Sequence, residues 1–213
     1  MRFSDRSEAG KELAKGLDAY RGQDAVVLAL PRGGVPVALE VAAHLGAPLD
    51  LLLVRKIGVP WQTELAMGAV IDGSDPAVVR NEETIRLAGI SNAEFDTICQ
   101  RELAEIERRR RRYFAGRVPL ETAGRIAIVV DDGIATGATV RAAVKGLRTR
   151  KPSKIVVAVP VAPPGAVAEL EKEADEVVCP LQPRMLGAIG YYYRDFDQLS
   201  DEEVIRLLAA HRV

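Results

Sequence analysis

Residues 126–140, Ile-Ala-Ile-Val-Val-Asp-Asp-Gly-Ile-Ala-Thr-Gly-Ala-Thr-Val, pass from five apolar residues through two carboxylates into a turn of small residues. A short β-branched run of this kind predicts a strand buried on both faces, which requires a parallel sheet covered by helices. Asp131 and Asp132 then fall at the carboxyl end of that strand, the edge where open α/β sheets bind ligands. Gly133 and Gly137 let the following turn close tightly, and Ala135 and Ala138 add almost no bulk. Thr136 and Thr139 contribute hydroxyls, and a helix starting near Gly137 directs its N-terminal amides at the same point. The predicted occupant is a phosphate.

Two carboxylates beside a phosphate cradle repel a ligand that is only phosphate. Sugar hydroxyls and a divalent cation such as Mg2+ account for them, since carboxylates accept hydroxyl hydrogen bonds and hard cations take oxygen ligands. A nucleotide P-loop is excluded by spacing, because Gly133 and Gly137 enclose three residues and Ala138 stands where a lysine is required. A plain turn opening a Thr-rich helix is the alternative. The apolar run, Asp131-Asp132 and Thr136-Gly137-x-Thr139 together resemble the phosphoribosyl diphosphate (PRPP) motif of type I phosphoribosyltransferases.

That resemblance implies transfer of a 5-phosphoribosyl group from PRPP to a nitrogen nucleophile, a nucleobase, with pyrophosphate released and Mg2+ as cofactor. Asp131 and Asp132 would hold the ribose hydroxyls and, directly or through water, the metal. Gly133, Ile134, Ala135, Thr136, Gly137, Ala138 and Thr139 would hold the 5′-phosphate. Both acids are expected to face solvent.

Pro31-Arg32-Gly33-Gly34 follows the apolar run 25–30 and precedes a helical pattern over 35–45, so it shares the strand-end edge with Asp131. Adjacent glycines expose amides and Arg32 offers a guanidinium fork for phosphate oxygens, although such a tetrapeptide also makes ordinary turns. In the resembled family this is the pyrophosphate loop, Arg32, Gly33 and Gly34. A third apolar strand over 49–54 ends in Arg55-Lys56, which add positive charge to the same end of the site. Residues 57–66 predict a loop able to act as a lid. Its Glu64 is similar in placement to a base-assisting glutamate of adenine phosphoribosyltransferases, or is an ordinary surface acid. Hypoxanthine-guanine enzymes carry an acidic base where this chain has Ala135, and Gly133 replaces the family's usual apolar residue. Glu64 is therefore the candidate base, unless the acceptor needs none.

Alternating strand and helix patterns over 25–179 predict an α/β fold with a doubly wound, mainly parallel sheet. With 213 residues, 48% hydrophobic, the chain reads as one globular domain, 1–213, which the resemblance implies is phosphoribosyltransferase-like. Residues 76–80 predict a strand paired with 67–71. The charged stretch 82–116 reads as a helical insertion, and its Arg108 to Arg112 run as a solvated helix face with i,i+4 ion pairs. A phosphate, RNA or subunit contact is the alternative for that run.

The tail, 180–213, concentrates aromatic residues. The resemblance places the acceptor pocket there, at Cys179, Tyr191, Tyr193 and Phe196, although the same rings suit core packing or a dimer contact. A formal charge of −1 gives no overall drive toward nucleic acid or anionic membranes. Cys99 and Cys179 lack metal-ligand spacing, and His44 and His211 fall in helical patterns as structural residues. With no apolar span or leader-like start, the expectation is a cytoplasmic homodimer binding PRPP and a small acceptor. A PRPP- or nucleotide-binding regulator contacting RNA is the competing reading, and a sugar-phosphate hydrolase or phosphotransferase a third.

Overall fold

Short runs of β-branched and small apolar residues become the central parallel strands, and an alternation in their side chains sets the layers. A computed structural model of the chain describes residues 2–72, 76–114 and 118–210, without the side chains of Glu64 and Phe114. In chain order the elements are α1 (Arg6–Lys15), β1 (Ala25–Ala29), α2 (Gly34–Leu45), β2 (Leu49–Leu51), β3 (Val54–Val59), β4 (Gln62–Ile71) and β5 (Ala77–Arg80). There follow α3 (Glu82–Leu87), α4 (Asn92–Phe114), β6 (Ile126–Val130), α5 (Ala138–Thr149), β7 (Lys154–Ala158), α6 (Pro164–Leu170), β8 (Glu176–Val178) and α7 (Asp201–Ala210).

The main sheet is five-stranded and parallel, in the order β2-β1-β6-β7-β8. Ala25, Val27, Ala29, Ile128, Val130, Val156 and Ala158 point into one core with α1 and α2, while Val26, Leu28, Ala127, Val129, Ile155 and Val157 point into a second core with α5 and α6. β1, β6 and β7 are thus buried on both faces, as their apolar sequences require, whereas the edge strand β8 is half-buried. This is the expected doubly wound, mainly parallel α/β sheet. From β1 the chain moves by α2 to β2 on one side, while β6 lies on the other. The order of strands reverses between β1 and β6, which makes their carboxyl ends the switch point of the sheet.

The single strand expected over 49–54 is instead divided. After β2 the chain makes one further main-sheet bond, Leu52 N to Ala29 O at 2.9 Å, and then enters an antiparallel sheet of order β3-β4-β5. Asp72 stitches the two sheets: its amide donates to Leu53 O at 2.9 Å and its carboxylate accepts from Leu53 N at 2.7 Å. The expected lid loop, 57–66, is accordingly a β-hairpin, irregular where Gly58 meets Thr63, and Arg55 and Lys56 lie within β3 instead of beyond a strand. A β-carbon on Gly58 would come within 2.4 Å of Thr63 O, so the hairpin closes there only around a glycine. β5 pairs antiparallel with β4 from Gly68↔Arg80 to Ile71↔Ala77, as expected for 76–80; residues 73–75 between them lie outside the described residues.

α3 and α4 occupy the stretch read as a helical insertion, between β5 and β6. Arg108 and Arg109 pair with Glu105, and Arg111 pairs with Glu107 at i,i+4 spacing, the ion-paired face expected of the arginine run. His44 shares a 2.5 Å hydrogen bond with Asp18 at the end of α2, a structural contact; His211 lies outside the described residues. No helix among the described residues is long and apolar enough to cross a membrane.

Candidate functional site at the β1/β6 switch point

The loops after β1 and β6 interlock. A β-carbon on Gly33 would sit 2.0 Å from Asp132 Oδ2, and one on Gly34 would sit 2.6 Å from Val130 O. Only glycine lets the two loops approach this closely. The Pro31–Arg32 peptide bond between the strand and these glycines is cis. Gly137, at φ 77°, turns the second loop into the start of α5, whose first residues Ala138 and Thr139 are exposed, as are Ala135 and Thr136. Ile134 departs from the expected cradle: its side chain is buried and its amide donates to Val161 O at 2.9 Å, so it anchors the loop from beneath.

The two acids have different surroundings. Asp131 Oδ1 accepts from the amide of Asp132 at 2.9 Å, and its pKa is raised well above the ordinary carboxylate range, first by burial and then by the neighbouring Asp132 charge. Asp132 does not face open solvent as the sequence suggested. Its Oδ2 accepts from Arg6 Nε at 2.8 Å, with the Asp132 side chain 13% exposed. The Arg6 guanidinium also lies 4.0 Å from the centre of the Phe196 ring and donates to Asp197 O at 3.0 Å. Arg32, on the opposite loop, approaches Asp201 at 3.9 Å, where Arg112 (2.8 Å) and the Tyr113 hydroxyl (2.5 Å) also converge. Elements from both ends of the chain therefore hold charged residues of the two central loops.

Of the four residues expected in an acceptor pocket, Tyr193 is packed instead. Its ring is 1% exposed, 5.5 Å from Phe3 and 4.7 Å from Phe196, and its hydroxyl donates to Asp132 O at 2.5 Å. Burial pushes its phenol pKa up, which keeps it a neutral donor to that carbonyl. Phe196 is occupied on its faces by Tyr193 and Arg6, so both rings brace the acid-bearing loop and neither is free to stack on a ligand. Cys179 is half-buried, with its thiol donating to Leu181 O at 3.4 Å and its pKa pushed up to about 11 by burial. Tyr191 alone of the four presents its ring, 70% exposed, over Gly187.

Arg55 and Lys56 sit on β3, with Arg55 bridging Glu102 of α4 at 2.7 Å. The side chain of Glu64, the candidate base, lies outside the described residues. Arg6, Asp201 and Tyr193 were not assigned these contacts from sequence. Arg6 meets Asp132 across 126 positions, and no local periodicity reports a pairing at that separation. The one sequence signal near it is Asp5, which caps α1 by accepting from Glu8 N at 2.8 Å and so fixes where Arg6 starts the helix.

Comparison with known proteins agrees with this geometry. A sequence profile of the phosphoribosyl transferase domain matches residues 6–194. Two curated proteins from Mycobacterium tuberculosis strains, CDC 1551 and H37Rv, are 48% identical over 211 residues, 99% of this chain, and their names assign them provisionally as phosphoribosyl transferases. The chain spans about half of their length, 47%. The crystal structure of TT1426 from Thermus thermophilus superposes with a TM-score of 0.87 at 41% identity, covering 99% of both chains. A matched profile over most of its length means that this chain belongs to the phosphoribosyl transferase domain family.

Proposed function

We propose that the chain transfers a 5-phosphoribosyl group from PRPP to a nitrogen nucleophile, a nucleobase, releasing pyrophosphate. The observation that carries this reading is the contact of the two loops at Gly33 and Asp132, which leaves no room for a β-carbon. It supports the reading by bringing the loop that carries Arg32, Gly33 and Gly34 against the loop that carries Asp131 and Asp132. The 5′-phosphate lies against the exposed residues Ala135, Thr136, Ala138 and Thr139 and the N-terminus of α5. Gly133 and Gly137 shape that turn, and Ile134 pins it to Val161.

Asp131 and Asp132 accept the ribose hydroxyls and lie near the positive charge that develops on the sugar as its anomeric bond breaks. Arg32, the amides of Gly33 and Gly34, Arg55 and Lys56 take up the negative charge on the departing diphosphate. For Asp132 this requires sharing its carboxylate with Arg6, whose bond uses Oδ2 and leaves Oδ1 for a hydroxyl. Two strand-end carboxylates suit a Mg2+ ion, which is held by one or two protein carboxylates together with substrate phosphates. Bound there, the ion would supply charge neutralisation at the diphosphate. The acceptor nitrogen approaches from the tail side, where Tyr191 presents a ring, with Glu64 as the candidate proton acceptor.

Titration calorimetry of Mg-PRPP against the parent and an Asp131→Asn, Asp132→Asn double variant tests this. Loss of two charge-assisted contacts predicts a fall in affinity of roughly 100-fold or more, with circular dichroism unchanged. Unchanged affinity in the double variant overturns the assignment. A panel of purines, pyrimidines and simple amines, read by pyrophosphate release, identifies the acceptor.

A further inference from the structure

Arg6 opens α1, where the helix dipole disfavours a cation and acids are ordinarily preferred. Its place is explained by its partner. The side chain is 12% exposed; Nε donates to Asp132 Oδ2 at 2.8 Å, Nη1 donates to Asp197 O at 3.0 Å, and the flat face of the guanidinium lies over the Phe196 ring. A long side chain fixed in these three ways has given up most of its rotamers, and so has the carboxylate it holds.

Two attachments set that guanidinium. α1 is docked on α2: a β-carbon on Gly10 would come within 2.7 Å of Val37 O and 2.9 Å of Glu40 Cβ, and the Ser7 hydroxyl donates to the Glu40 carboxylate. α2 itself begins at Gly34, the second glycine of the loop after β1. On the other side, residues 3 and 4 are clasped to the tail, with Phe3 N donating to Tyr192 O at 2.7 Å, Arg194 N to Phe3 O at 2.8 Å and Asp195 N to Ser4 O at 2.9 Å. Arg6 therefore reaches Asp132 from a helix registered on the first loop, and it ties the tail to the same acid.

We infer that Arg6 is a positioning residue for the sugar: by holding Asp132 Oδ2 it orients the carboxylate that takes a ribose hydroxyl, and so sets the preference of the cleft for a hydroxylated ring. Hydrogen bonds weaken steeply when their angle is lost, so an acid that turns freely recognises a hydroxyl poorly. Gly33, against which this carboxylate lies, has no side chain to confine it. The bond from Arg6 supplies that confinement, and its charge assistance makes the hold a strong one. Asp132 has this task only if the cleft binds PRPP, so the role of Arg6 rests on the transferase reading.

The test titrates two ring phosphates into protein in Mg2+ buffer: 1,4-anhydroribitol 5-phosphate, which carries both ring hydroxyls, and tetrahydrofurfuryl phosphate, the same ring and phosphate without them. The parent should prefer the first by roughly tenfold or more. Arg6→Met should cut that preference by roughly threefold or more and leave tetrahydrofurfuryl phosphate within about twofold of its parental affinity. Asp132→Ala should cut it at least as far, and adding Arg6→Met to Asp132→Ala should cost nothing further, because Arg6 acts through the carboxylate. The double variant buries no unpaired charge from this pair, so its comparison with Asp132→Ala carries the test even where Arg6→Met alone does not fold. Equal losses for both ligands in Arg6→Met would make Arg6 a structural brace and overturn the assignment. A double variant that discriminates less than Asp132→Ala does the same. A parent that fails to distinguish the two rings removes the sugar from these acids and takes the transferase reading with it, whereas a discriminating parent with an equally discriminating Arg6→Met removes the role of Arg6 alone.

Discussion

The cleft between β1 and β6 and the hairpin sheet β3-β4-β5 meet at Leu52 and Leu53 but are held by different means. In the cleft, backbone approaches backbone: parallel register from Ala25↔Ile126 to Ala29↔Val130 delivers two loops to one point, and Gly33 and Gly34 have no space for a side chain. At the hairpin, side chains carry the attachment, through Arg55 with Glu102 and through the Asp72 carboxylate on Leu53 N. Position in the cleft is therefore set by the covalent geometry of the sheet. Position at the hairpin is set by charges and hydrogen bonds that pH and ligands can alter.

The largest expected effect lies in the cleft. Gly33→Ala places a β-carbon 2.0 Å from Asp132 Oδ2, and Asp132 cannot yield because Arg6 holds its carboxylate and Tyr193 its carbonyl. PRPP affinity should fall roughly 100-fold, with a stability loss of about 1–3 kcal/mol from overpacking, read by calorimetry and urea unfolding. Near-parental values for both would mean that the loops slide freely past one another, and the contrast with the hairpin would fail.

What was legible in the sequence follows the same division. The parallel strands and the Asp131–Thr139 turn were readable because a strand buried on both faces leaves an uninterrupted apolar run, and an anion turn leaves glycines and threonines beside it. The break at Leu52 and Leu53 was not readable, because the run 49–54 stays apolar while the chain passes from one sheet to the other. Tyr193 and Phe196 were visible as aromatic residues, but whether a ring packs or binds depends on partners such as Phe3, 190 positions away in the chain and bridged to Tyr193. The pairing of Arg6 with Asp132 is hidden for the same reason. Arg109 belonged to a run correctly read as ion-paired, yet its place beside Arg55, Pro31 and Thr139 depends on how α4 lies along β3.

The seam at Asp72 sharpens the comparison through pH. Burial pushes its carboxyl up to about 7 from an ordinary 3.8, offset in part by the hydrogen bond from Leu53 N. The folded chain then keeps a proton that the unfolded chain has released over that interval. Stability due to this group is fully present below about pH 4 and is lost as pH rises through about 7. The full cost of ionisation is up to about 4 kcal/mol. Asp72→Asn retains an oxygen for Leu53 N and has no charge to desolvate. It should come closest to the parent below about pH 4 and exceed it increasingly in urea unfolding as pH rises to 8. A variant that tracks the parent at both values would show that the seam carries no buried proton.

The smallest effect is expected at Arg111→Ala. Arg111 pairs with Glu107 at 2.9 Å, a distance close to that between Arg6 and Asp132, yet its side chain is 79% exposed against 12% for Arg6. Water screens the outer pair, and holding two long side chains in one geometry consumes much of its attraction, so its removal should change stability by no more than about 0.5 kcal/mol. Arg111 makes none of the contacts that hold the two central loops, so binding of PRPP should stay at its parental value. Urea unfolding and a PRPP titration on this one variant therefore ask whether burial, and not the ion-pair distance, decides which arginines of the chain matter. A loss above about 1 kcal/mol, or weakened PRPP binding, would show that the exposed face of α4 is not merely solvated.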